Sequence, residues 1–172
     1  ALRAVPQAVA ATLALDETMQ AIAGAISDAT AMVTISRGYN YATAWEIAQK
    51  LKELTYVPTE PYSSADFQHG PIAMLGNGFP VIYIAPQGAV AGDLEELAPR
   101  MRARGARLVA ISDVPGVLAA ADLPAALPAT VDERFSPITT VVPGQQLALY
   151  LAVARGIDPN NPRGLRKVTE TM

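Results

Sequence analysis

Apolar residues recur every three or four positions through residues 3–14 and again through 16–29, the spacing of one helix face. Asp16, followed by Glu17, is placed to cap the second of these helices. The period then breaks. Ala31-Met32-Val33-Thr34-Ile35 has the length and content of a short buried strand, and Ser36-Arg37-Gly38 turns it into the next helix. Over 41–55, Ala44, Ile47, Ala48, Leu51 and Leu54 fall on one side and Glu46, Lys50 and Glu53 on the other; Pro58 is expected to stop the helix. Thr59–Ser63 reads as a second strand, and a turn with Ser63, Ser64 and Asp66 leads to a short helix near His69–Leu75, with Pro71 in its first turn.

Gly76-Asn77-Gly78 is a turn. The run from Pro80 to Ala85 is the clearest strand, residues 90–104 form a helix ended by Gly105, and Arg107–Ser112 form the next strand. Asp122–Pro128 is a short final strand. A long apolar helix runs from about Ile138 to Arg155, with Pro143 kinking it or marking its true start, and Gly156 ends it. Asp158-Pro159-Asn160-Asn161-Pro162 then leads into a charged tail. Strands alternating with helices predict an α/β fold with a parallel sheet and right-handed crossovers. Ligands of such sheets bind at the carboxyl ends of the strands, where Ser36-Arg37-Gly38 and the Ser63–His69 loop would lie.

Composition agrees with this. The 172 residues suit one domain, and 51% hydrophobic against 17% charged residues fits strands covered on both faces. A net charge of −3 gives no nucleic-acid footprint. The one basic cluster, Arg100–Arg107, sits at a helix end, where cations suit the dipole. Cysteine is absent, which excludes disulfides, thiolate metal sites and cysteine nucleophiles and fits a cytoplasmic protein. No apolar run reaches the roughly 20 residues needed to cross a membrane. The chain opens on Ala1-Leu2-Arg3, as a processed product or an excised domain would.

Candidate chemistry concentrates between Ser36 and Ala73. On spacing alone, Glu46, Lys50 and Glu53 form a solvated stripe with an ion pair; the alternative is a carboxylate base kept ionised by Lys50. His69, the only histidine, is either incidental or a proton relay at a helix start. A single histidine without cysteine argues against a metal site. Ser36, Ser63 and Ser64 are candidate anion contacts. Walker, GxGxxG and GxSxG patterns are absent. Lys167, in RGLRKVTETM, is either part of a free terminus or an amine able to reach a carbonyl substrate.

Three stretches, SRGYNYATAWEIAQKLKE, EPYSSADFQHGPIA and RGIDPNNPRGLRKVTET, occur in an order that resembles the SIS (sugar isomerase) domain family. The likeness is to the second SIS domain of the glucosamine-6-phosphate synthase isomerase module and to SIS-type deaminases and ketose/aldose isomerases. LRKVTET is slightly more similar to the stand-alone group. The resemblance implies a flavodoxin-like, three-layer αβα sandwich on a five-stranded parallel sheet, a single SIS domain over 1–172, and a catalytic tail over 158–172. It implies Glu53 as the base moving a proton between sugar C1 and C2, with Glu46 and Lys50 as charged partners. His69 would serve ring opening in a neighbouring subunit's site, and Lys167 would contact the open-chain sugar. It implies a sugar phosphate as ligand, a homodimer, and no metal or redox cofactor. No SxSGxT-type phosphate loop is present, so the resemblance further implies an upstream SIS domain and a chain forming the C-terminal half of a longer enzyme. The competing reading is a non-catalytic phosphosugar sensor.

Overall fold

The computed structural model describes residues 1–161 and 163. Among them, five strands form one parallel sheet in the order β2-β1-β3-β4-β5: β1 Met32–Ser36, β2 Thr59–Ser63, β3 Phe79–Ala85, β4 Ala106–Ser112 and β5 Leu123–Ala126. All four pairings are parallel, and Ser36 stands opposite Ser63 at the carboxyl ends of β1 and β2. The edge strands β2 and β5 carry Pro61 and Pro124, which a sheet tolerates at its margins.

Seven α-helices flank the sheet among the described residues: α1 Val5–Leu13, α2 Asp16–Ala25, α3 Tyr41–Thr55, α4 Ser64–Gln68, α5 Ala91–Ala103, α6 Pro115–Ala120 and α7 Ser136–Ala154. Strand residues alternate between two cores. Met32, Ile82, Ile84, Val109 and Ile111 face α2, α3 and α7, packing on Met19, Ile47, Leu51, Leu147 and Leu151. Val33, Ile35, Val81, Tyr83 and Leu108 face α4, α5 and α6, packing on Phe67, Leu94, Leu97, Met101 and Val117. Strands covered on both faces need apolar residues at every position, which is why MVTIS is buried throughout. Its polar members are satisfied: Thr34 donates to the Ala44 carbonyl at 2.8 Å, and Ser36 to the Ile84 carbonyl at 2.6 Å.

This is the expected α/β sandwich, with local corrections. Asp16 is not a cap but the first residue of α2; its carboxylate accepts hydrogen bonds from Gln146 and Tyr150 of α7, joining the two helices. Helix α2 stops at Ala25, short of residue 29. Helix α3 stops at Thr55, before Pro58, because Tyr56 turns left-handed at φ 60°. The helix expected near His69–Leu75 is two pieces: α4, capped by Ser63, and a 3-10 turn over Pro71–Met74. Helix α6 was not expected from the pattern. Helix α7 begins at Ser136, so Pro143 lies inside it rather than at its start. There Gly144 lets α3 approach, since a Cβ would stand 2.2 Å from Ile47 Cδ1. No helix among the described residues is long and apolar enough to cross a membrane.

Candidate active site

Helix α3 starts at the carboxyl edge of β1 and runs back along the sheet. Its fully buried stripe of Ala44, Ile47, Ala48 and Leu51 sets its rotation. That rotation leaves Glu46, Lys50 and Glu53 partly exposed. At 1.5 Å per residue, Glu53 lies roughly 18 Å along the axis from Tyr41. Both of its oxygens are held: Lys50 Nζ donates to Oε2 at 2.7 Å and Gln49 Nε2 to Oε1 at 2.8 Å. These bonds, the one from Lys50 first, hold the Glu53 carboxyl below its ordinary value of 4.5. Lys50 moves up, chiefly through its bond to Glu53, against partial burial, with further help from the charges of Glu53 and Glu46. Each carboxylate oxygen retains a second lone pair. The result is an ionised base that is held in place and open to one side. As a partly exposed ion pair it is worth only ~0.2–1 kcal/mol of stability.

A depressed carboxylate contributes above its unfolded pKa and loses its charge as pH falls through the folded value. Any activity that needs ionised Glu53 therefore has its acid limb below pH 4.5. Substituting Lys50→Met raises that limb. A pH–rate profile of the two proteins in parallel checks this, and an unmoved limb refutes the coupling.

His69 is exposed and occupies the C-cap of α4, not a helix start. Helices α3 and α4 cover opposite faces of the sheet, so one chain does not bring Glu53 and His69 together. Ser36 is fully buried with its hydroxyl committed to Ile84. Ser63 accepts the Asp66 N–H at 3.3 Å as the cap of α4. Ser64 is buried, and its hydroxyl has no hydrogen-bond partner among the described residues. Lys167 and most of the 158–172 tail lie outside the described residues.

The carboxyl edge, where a ligand was expected, is largely satisfied from within. Arg37 pairs with Asp93 at 2.6 Å. The N–H groups of Gln87 and Ala89, after β3, are taken by the carboxylates of Asp113 and Glu133 at 2.7 and 3.0 Å. Gly88 permits this, because a Cβ there would stand 2.6 Å from the Glu133 carboxyl carbon. A phosphate would meet carboxylates rather than free N–H groups in this loop. No group of three or more His, Cys, Asp or Glu side chains that could hold a metal ion occurs among the described residues.

Two site residues were missed from sequence. Gln49 stands four positions before Glu53, so the same spacing rule that paired Lys50 with Glu53 could have found it. Tyr56, just beyond α3, had no local signal. Its hydroxyl accepts the backbone N–H of Arg163, and the Arg163 guanidinium stands 4.6 Å from its ring centroid. The start of the tail thus lies one helical turn from Glu53.

The model of the SIS domain matches residues 25–155. This chain belongs to the SIS domain family. It is 40% identical over 96% of its length to the isomerizing glutamine–fructose-6-phosphate aminotransferase of Thermococcus kodakarensis, and 37% over 94% to that of Zymomonas mobilis. It spans 27% of the length of each. Among solved structures, the C-terminal domain of the glucosamine–fructose-6-phosphate aminotransferase from Francisella tularensis superposes with a TM-score of 0.81 at 27% identity. That match covers 91% of this chain and 44% of the other. The β2-β1-β3-β4-β5 order and helices on both faces are those of a SIS domain.

Proposed function

We propose that this chain is the C-terminal SIS domain of an isomerase module acting on fructose 6-phosphate or glucosamine 6-phosphate, within an isomerizing aminotransferase. The observation that carries the reading is Glu53: an ionised carboxylate fixed by Lys50 and Gln49, on a chain similar throughout to enzymes named as isomerizing. Glu53 removes a proton from C1 of the open-chain sugar, an enediol or its amine counterpart forms, and the proton returns at C2. Lys50 keeps Glu53 charged, and the charge of Glu46 helps keep Lys50 protonated.

His69, on the other face of the sheet, serves ring opening in the site of a second subunit. Lys167 supplies the amine that meets the carbonyl. The phosphate is held by an upstream SIS domain, because the carboxyl-edge loops of this chain have spent their donors on Asp113, Glu133 and Ile84. Ser63 and Ser64 contribute at most secondary contacts. Residues 158–172 act as a catalytic tail.

Incubating the full-length polypeptide with fructose 6-phosphate in deuterated water tests the reading. Deuterium is expected on the sugar carbon next to the carbonyl, with glucose 6-phosphate as product, or its amino analogue when glutamine is added as nitrogen donor. Turnover without deuterium incorporation means either a proton shielded on Glu53 or a hydride shift between C1 and C2, and Glu53→Gln separates the two, because only the first needs the carboxylate. A complete lack of turnover, with the isolated chain binding glucosamine 6-phosphate tightly by itself, overturns the proposal in favour of a sensor module.

A further inference from the structure

We infer that Tyr56 is a positioning residue that holds Arg163, where the C-terminal tail begins, against the end of α3. Three observations support this. First, Tyr56 has φ 60° and ψ 15°, a left-handed conformation that is costly for any residue with a Cβ. Glycine is usual just past a helix end, and this chain uses Gly105 after α5 and Gly156 after α7, at φ 84° and 71°. An aromatic residue kept in such a place is held there by something other than backbone preference. Second, one residue engages both ends of the tyrosine. The Arg163 backbone N–H donates to its hydroxyl, and the guanidinium covers its ring at 4.6 Å. Third, residues 158–161 form a turn of their own. The Asp158 carboxylate accepts the Asn160 N–H at 2.9 Å and the Asn161 side-chain amide at 3.0 Å, closing a tight turn. The helix end, the turn and the arginine thus form one anchor, three residues beyond Glu53.

Arg163 precedes Lys167 by four residues in sequence. The consequence for catalysis rests on the role proposed above for Lys167; the docking itself does not. Tyr56→Gly separates the two. Glycine suits the left-handed position, so the melting temperature is expected to hold or rise. Losing a ring–cation contact and a hydrogen bond should speed tryptic cleavage after Arg166 and Lys167 about tenfold in the full-length polypeptide. Tyr56→Phe, which keeps the ring, should speed it about threefold. Arg163→Ala, which loses the guanidinium over the ring but keeps the backbone N–H bond, should speed it less than Tyr56→Gly, and the double substitution should add little to Tyr56→Gly alone. Turnover should fall with no drop in melting temperature, a split that a purely structural role does not produce.

Cleavage of Tyr56→Gly at the wild-type rate overturns the inference. Faster cleavage with undiminished isomerisation upholds the docking and counts instead against the role given to Lys167.

Discussion

Glu53→Gln slows isomerisation by the full-length polypeptide about 10²–10⁴-fold, the usual contribution of a positioned general base. Glutamine keeps the shape of the side chain and still accepts the Lys50 bond now made at 2.7 Å, but it cannot take up a proton. The loss should fall on kcat with KM nearly unchanged, because the carboxylate acts on the C1 proton in the transition state rather than gripping the ground-state sugar. The fold should be little affected, since a partly exposed ion pair of this kind contributes ~0.2–1 kcal/mol. Steady-state kinetics with a melting curve on the same sample check both halves. Wild-type turnover by this variant removes Glu53 as the base.

The parts of this site that lie on one element were legible in the sequence. Helix α3 announced its boundaries through Gly38 and its buried stripe, and the i,i+3 spacing of Lys50 and Glu53 implied their contact. Glu53 could not be told from a solvated stripe by spacing, because surface ion pairs and catalytic ones share that geometry. Only the family resemblance distinguished it. His69 was misplaced because Ser63-Ser64-Asp66 was read as a turn, although Ser63 with Asp66 three residues later is the signature of a cap and starts α4. The separation of Glu53 from His69 depends on which face each helix covers, a property of sheet topology that no local pattern encodes. Helix α6 has six residues, too few for a period to show. The anchor at Tyr56 joins residues 107 positions apart, and nothing in either neighbourhood foretells it.

This division carries a physical lesson about the site. Glu53 is set by its own helix, but that helix is set by a buried polar cluster far from it. Asn40, the residue before α3, is 4% exposed. Its amide donates to Ser136 Oγ at 2.7 Å, and its carbonyl accepts from Thr43 at 3.1 Å and Thr140 at 2.6 Å. Ser136 in turn donates to the Glu133 carbonyl at 2.8 Å, while the Glu133 side chain holds the loop after β3. The start of α3, the start of α7 and the carboxyl-edge loop are thereby locked in register.

Asn40→Ala is expected to be the most damaging polar substitution in the fold. It opens a small cavity and leaves the Thr43 hydroxyl without its 3.1 Å partner, while Thr140 keeps its bond to the Ser136 carbonyl and a long 3.5 Å contact with the Thr43 hydroxyl. Two or three lost buried hydrogen bonds amount to about 2–4 kcal/mol. For a chain of this length that lowers the melting temperature by roughly 5–15 °C. Thr140→Val alone removes one of the same bonds and should cost about 1 kcal/mol. Because the two residues share that bond, the double variant should be less damaged than the sum of the singles by about 1 kcal/mol. Denaturant unfolding of the four proteins measures the coupling, and strict additivity would mean that Asn40 and Thr140 stabilise the helices independently. With α3 free to slide on α7, Glu53 loses its fixed place, so turnover at temperatures well below melting should fall in Asn40→Ala even though no atom of the Lys50–Glu53 pair has been changed.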